Sequence, residues 1–331
     1  MTTIPAPRAG AFNFPAYAGM RDGVNPTRAR QAIRGLYNHT ALTPGHLSAP
    51  LLVLTNDADV ALPGATTLAG IPALVRRWKG LGISGVKIFT VGTSRSADAA
   101  EALEDLTMRH TIEAVKATAE NMAVTTEVCG CGWTTSHECV LRRPDGRIDL
   151  DATIRFLTEL AYRHAQWGAD AVSPTAMLDG SVHEIRAILD CEDFEDVSVN
   201  PNVAFTTSLY GPFKQVMDTD PATGHRRGLQ LETGQAWRTG LEAANRWISE
   251  GADALTVQPV MTATDALFMI RMAHMRPLTA YSTSGEWTAF EAMGTAATVE
   301  YHEMLVRLGA DSILTFAAET VAQTLNEVTV R

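Results

Sequence analysis

Three of the chain's four cysteines, Cys129, Cys131 and Cys139, fall within eleven residues, beside Glu127, His137 and Glu138. Thiolates gathered on one short loop repel each other unless a soft cation neutralises them, and zinc held by three sulfurs keeps a fourth position for water or substrate. The competing reading is three reduced thiols packed near a turn, because CxC-x7-C is not among the commoner structural-zinc spacings. His137 is near enough in sequence to donate as well, although histidines on such loops mostly hydrogen-bond. Cys191, in LDCEDFEDV, stands apart as a buried or loop thiol.

Amine chemistry has few candidates. Of 27 basic residues only Lys79, Lys87, Lys116 and Lys214 are lysines. Lys79 and Lys116 lie on amphipathic helical stretches and read as solvated. Lys87 interrupts the apolar strand GVKIFTVG, on the same side as Phe89. If that side faces a core, burial lowers the amine's pKa and makes it a candidate nucleophile. The alternatives are a snorkelling lysine or an ion pair with a carboxylate such as Glu127.

These groups need a scaffold, and the chain supplies a repeating one. Short apolar or β-branched runs start at Leu51, Gly85, Ala123, Ala169, Val197, Ala254, Pro277 and Ser312. Helix-like stretches such as TLAGIPALVRRWKGLG, DLTMRHTIEAVKATAEN and DATIRFLTELAYRHAQWG lie between them. Eight alternating strand and helix units predict an α/β fold, a (β/α)8 TIM barrel over residues 46–331. WGADAV, EGADAL and LGADSI repeat one approach, with Gly ending a helix and Asp leading into a buried strand. No GxGxxG follows the first strand, which counts against dinucleotide binding. Residues 1–45, rich in Pro, Ala, Gly and Arg, read as an N-terminal arm with a short helix around NPTRARQAIRGLYN. In a barrel the chemistry sits at the C-terminal strand ends, where AVTTEVCG runs into the cysteine loop. Period-two alternation then places Thr125, Glu127 and Cys129 on one side.

Composition sets the outer limits. With 331 residues, 46% hydrophobic and 19% charged, the chain can bury a large core. A net charge of −10 argues against non-specific nucleic-acid binding. No basic-then-apolar leader and no apolar run of bilayer length is present, so no membrane partner is expected. Clustered, sparse cysteines suit a reducing cytoplasm, with small molecules and copies of the same chain as partners.

The segments resemble the porphobilinogen synthase (5-aminolevulinate dehydratase) family. EVCGCGWTTSHEC is similar to the family's zinc segment DVCxCxYTSHGHC, with all three cysteines in register. SPTAMLDGSVHEIRAILD resembles APSDMMDGRVxxIRxxLD, SLYGPFK resembles SFYGPFR, and GHRRGLQLE a GDRKxYQMD pattern. EGADALTVQP, AYSTSGEW and LGADSILTF follow EGADxxMVKP, AYQVSGEY and AGADxIITY in the same order.

The resemblance implies a (β/α)8 barrel, a homo-oligomer built through the N-terminal arm, and Zn2+ on Cys129, Cys131 and Cys139. It also implies a small carboxylate-bearing substrate, gripped by Lys214, Arg226, Gln230 and Ser284, with Arg227 adjacent. The family joins two 5-aminolevulinate molecules into a pyrrole through two imine-forming lysines. Here those positions carry Ala204 and Gln258, the closing tyrosine is Phe316, and Thr175 and Ala176 replace an SD pair. The aspartate before the first cysteine is Glu127. The expectation is a zinc-dependent condensing lyase of dehydratase type with altered chemistry, Glu127 as acid or base and Lys87 as a relocated amine. The alternatives are authentic porphobilinogen synthesis through Lys87 and a non-catalytic binding protein.

Overall fold

The computed structural model describes residues 42–55 and 62–329. The expected N-terminal arm, its short helix and its part in assembly therefore lie, but for residues 42–45, outside the described residues. A 3-10 turn, Pro44–His46, feeds the first strand, β1 (Leu47–Val53). β1 starts four residues before the first apolar run, because Leu47 and Ser48 already pair with Ile313 and Leu314 of the last strand.

The remaining strands are β2 (Ala65–Thr66), β3 (Gly85–Thr90), β4 (Ala123–Val128), β5 (Ala171–Pro174), β6 (Ser198–Val199), β7 (Asn202–Ala204), β8 (Leu255–Gln258), β9 (Leu278–Ser282) and β10 (Ser312–Thr315). All pairings are parallel, in the order β6-β5-β4-β3-β1-β10-β9-β8-β7, with the two-residue β2 beside β1. The ends of that path, β6 and β7, are halves of the single run VSVNPNVAF. Pro201 has no N–H to give a ladder. Asn200 N still donates to Val172 O on one side, at 2.9 Å, and Thr256 N to Pro201 O on the other, at 3.0 Å. The split strand thus closes an eight-position barrel, as the alternation predicts.

Helices fill the crossovers: α1 (Ile71–Gly80), α2 (Glu101–Glu104), α3 (Thr107–Thr118), α4 (Leu150–Gln166), α5 (Ser181–Cys191), α6 (Gly211–Val216), α7 (Ala236–Ser249), α8 (Thr264–Ala273), α9 (Ser284–Met293), α10 (Thr295–Arg307) and α11 (Ala318–Thr329). Each longer helix buries one stripe against the sheet, as Ile71, Leu74, Val75 and Trp78 do on α1. The Gly-Ala-Asp phrases work as expected: Gly168, Gly251 and Gly309 take φ near +100°, a turn that strains other residues. Asp170 and Asp253 then accept the strand N–H of Val124 and Val199. Among the described residues no helix is long and apolar enough to cross a membrane.

Two buried histidines brace the wall. His302 Nδ1 donates to Thr298 O at 2.7 Å, so Nε2 is the acceptor for the Thr315 hydroxyl at 2.9 Å. His164 Nδ1 meets Thr126 Oγ1 at 3.0 Å. Burial holds both neutral, pushing His164 down to about 3 and His302 down to about 4. The unfolded chain protonates them near 6.5, so their contribution is complete above that value and is lost as pH falls toward the folded pKa. Each should cost on the order of 3 kcal/mol by pH 4. Urea unfolding between pH 7.5 and 4.5 should therefore show a shallower loss of stability in His302→Asn than in the native chain.

Candidate active site

The cysteine loop is fixed before any metal is considered. Gly130 O accepts from both Trp133 N and Thr134 N at 2.9 Å, turning the chain directly after Cys129. Thr134 Oγ1 donates to Glu138 O at 2.9 Å, which closes the loop and brings Cys139 back. Arg95 holds it from the side, donating to Cys131 O at 2.8 Å. A Cβ on Gly92 would meet the Trp133 ring at 2.6 Å, so only glycine lets the β3 loop pack this closely.

The result is a compact sulfur cluster. Cys129, Cys131 and Cys139 are buried, unbridged, and have their Sγ atoms within 4.8 Å of one another. Cys129 and Cys131 Sγ are 3.2 Å apart. Tetrahedral zinc with sulfur at about 2.3 Å separates its ligands by about 3.8 Å, inside the range found here. Three buried, unbridged thiols whose sulfurs converge on one point are a good donor set for a soft cation. Hydrogen bonds from Cys129 and Cys131, with Arg226 alongside, hold the Cys139 thiol well below the usual thiol range.

Arg226 explains part of that electrostatics. Its Nη2 donates to the carbonyls of His137 and Thr219, which hold the guanidinium over the sulfurs. Its positive charge offsets a three-thiolate set, and the sulfurs raise its pKa in return. His137 turns elsewhere: its Nδ1 donates to Asp218 O at 2.7 Å, and it is not among the clustered donors. Cys191 is exposed at the end of α5.

A small cavity of about 60 Å³ opens over the cluster at the C-terminal strand ends. The three cysteines share its wall with Glu127, Lys214, Arg226, Gln230 and Gln258. Phe89, Tyr210, Phe213 and Tyr281 supply apolar surface, and Thr175 and Thr219 line it too, their buried hydroxyls without a partner among the described residues. Burial pushes the Glu127 carboxyl up to about 7, against the attraction of Lys87. Lys214 carries its ammonium on α6, 3.2 Å from the exposed Asp220.

Lys87 and Ser284 occupy different places. Lys87 is buried inside the barrel and is not among the lining residues. Its Nζ donates to Ser173 Oγ at 2.9 Å and lies 5.5 Å from the Phe89 ring centre. Burial outweighs the attraction of Glu127 and brings the amine down to about 8. Ser284 is fully buried at the start of α9, where its hydroxyl accepts from Phe213 N at 3.0 Å. Gly285 N donates to Leu209 O at 2.8 Å, and a Cβ there would meet that oxygen at 2.5 Å. In this conformation SGE therefore pins the α6 segment, and with it Phe213 and Lys214, over the cavity.

Sequence reasoning missed a polar layer beneath the cavity floor. Ser173 Oγ lies 2.8 Å from Asn200 O and 3.2 Å from Asn202 Oδ1, and Asn202 Nδ2 donates to Gln258 Oε1 at 3.0 Å. The available signal was a polar residue inside each of several otherwise apolar runs. Ala204 and Gln258 are Cα partners across β7 and β8.

Comparison with known proteins places this geometry. The sequence model described as delta-aminolevulinic acid dehydratase matches residues 24–324. The delta-aminolevulinic acid dehydratase of Synechocystis sp. is 29% identical over 324 residues, covering 92% of this chain and 99% of that protein. The chloroplastic enzyme of Oryza sativa is 31% identical over 320 residues, covering 91% and 75%. Among solved structures, the delta-aminolevulinic acid dehydratase of Toxoplasma gondii, in complex with its reaction product porphobilinogen, superposes with a TM-score of 0.86. It is 26% identical, over 92% of each chain.

Proposed function

The chain belongs to the delta-aminolevulinic acid dehydratase family, and from that membership we propose a zinc-dependent lyase of dehydratase type acting on 5-aminolevulinate or a closely related amino or keto acid. One observation carries the reading: the three thiols, Glu127 and the cationic pair Lys214 and Arg226 converge on a single cavity. Cys129, Cys131 and Cys139 would hold the metal, which when bound supplies a Lewis acid for a carbonyl or a water.

The protein's own groups divide the remaining work. Lys214 and Gln230 grip the substrate carboxylate, Lys214 as a point charge and Gln230 as an amide donor. Arg226 serves the thiolates and the carboxylate together. Glu127, whose protonated form burial favours, delivers a proton to the carbonyl oxygen that leaves as water. Ser284 acts through α6, holding Lys214 over the substrate. Replacing Lys214 with Met removes a charge-assisted contact and should raise KM by about 10- to 100-fold with kcat within a few-fold. Steady-state kinetics on that variant checks the assignment.

The chemistry we propose differs from the imine route of the family. The positions matching its two lysines are Ala204 and Gln258, and neither side chain forms an imine with a ketone. The burial of Lys87 and its pKa near 8 favour a second reading, porphobilinogen synthesis by a relocated lysine. Against it stand the engagement of its Nζ by Ser173 and its place behind the cavity wall. The protein is further read as a cytoplasmic homo-oligomer, in keeping with its free cysteines.

Product identification tests the function. Zinc-loaded protein incubated with 5-aminolevulinate should yield a condensed product lighter by water than its precursors, detected by mass spectrometry. A pyrrole made of two substrates less two waters, together with a borohydride-stable adduct on Lys87, would establish the relocated-lysine reading. Unchanged 5-aminolevulinate and unchanged related keto acids, with zinc bound, would leave only a binding protein.

A further inference from the structure

The polar layer under the cavity assigns a job to the residue at the second lysine position. It begins at Lys87, whose ammonium has only donors, so Ser173 Oγ must be its acceptor at 2.9 Å. The single Ser173 hydrogen is left for Asn200 O, at 2.8 Å, and Asn202 Oδ1, at 3.2 Å. The Asn202 amide lies with its nitrogen toward Gln258 Oε1, at 3.0 Å. Gln258 is thereby turned so that its own nitrogen faces away from Asn202. The Tyr210 phenol is its neighbour. Among the described residues that nitrogen has no other partner, and Gln258 lines the cavity. The unpartnered Thr175 hydroxyl lines the same cavity.

Two donors with no acceptor to spare among the described residues, in a cavity lined by Lys214 and Arg226, call for a ligand oxygen. We infer that Gln258, held by the Lys87–Ser173–Asn202 chain, donates its free N–H to the ketone oxygen of a bound 4-oxo acid, with Thr175 as a second donor. The ketone is held by hydrogen bonds where the family attaches it through an imine. This inference rests on the keto-acid reading above. It also gives the buried Lys87 a use that needs no approach to the substrate: its ammonium anchors Ser173 at the head of the chain.

Borohydride trapping and binding measurements on the zinc-loaded protein test it, with levulinate as the probe because it carries the ketone and carboxylate but no amine with which to condense. The native chain should bind levulinate and give no borohydride-stable adduct. Gln258→Leu should weaken binding about tenfold by calorimetry, the loss expected for one well-placed hydrogen bond. Gln258→Lys should gain an adduct, levulinate less one oxygen, joined at residue 258. Zinc content and Tm of both variants report whether they fold.

An adduct on Lys87 or Lys214 of the native chain would overturn the inference while leaving the keto-acid reading standing. So would undiminished binding by a folded Gln258→Leu, or a folded Gln258→Lys that binds levulinate and traps nothing. A native chain that binds neither levulinate nor 5-aminolevulinate would overturn the reading and the inference together.

Discussion

A Cys139→Ser chain should lose its zinc and its turnover together, with the rate falling at least about a thousandfold and the barrel still folded. Cys139 is the informative choice of the three. Cys129 and Cys131 share one turn, with sulfurs 3.2 Å apart, whereas Cys139 returns from the far end of the loop to complete the set. A hydroxyl is a hard, weakly acidic ligand, and a two-thiolate remnant holds zinc far less tightly than three. The variant leaves Arg226 facing a diminished negative charge, since the sulfurs are what raise its pKa. Elemental analysis should find less than one zinc in ten chains, and circular dichroism should be unchanged. Retained zinc with retained turnover would place the metal elsewhere.

Glu127→Gln should be nearly as severe, with kcat lower by about 10²- to 10⁴-fold, the range for removing a general acid or base. The amide keeps the size of the side chain and can still hydrogen-bond, but it cannot exchange a proton at the carbonyl oxygen. Zinc content should stay at the native value and KM should move only a few-fold, because Lys214 and Gln230 carry the carboxylate. The change also removes the one carboxylate that attracts Lys87, which leaves a buried cation with Ser173 as its hydrogen-bond partner. Some loss of stability is therefore expected as well. Pre-steady-state kinetics separates this from a binding defect: native-like substrate binding followed by a slow chemical phase is the predicted pattern.

The sequence carried more of this site than of its supports. Apolar runs and Gly-Ala-Asp phrases made the barrel legible because each is a local pattern: a buried strand preceded by a left-handed turn. The cysteine window was legible for the same reason, its three donors being close in the chain as well as in space. The break of the fifth barrel strand at Pro201 could be suspected from the missing N–H, but its consequence depends on β5 and β8 lying on either side. Ser284 was matched to a carboxylate contact, whereas here its hydroxyl receives Phe213 N. That contact joins segments 71 residues apart, and no periodicity reports it. The Lys87–Ser173–Asn202–Gln258 chain was invisible as a unit because each member comes from a different strand and only register brings them together. An isolated lysine in an apolar strand announced that something inside the barrel was polar. It could not say what the lysine touched.

The account stands most directly on the zinc dependence of turnover. Initial rates of 5-aminolevulinate consumption should be measured on the native protein, after removal of its metal by a chelator, and after return of one equivalent of zinc. The predicted result is a rate that vanishes with the metal and recovers with stoichiometric zinc. A rate indifferent to chelation would contradict it.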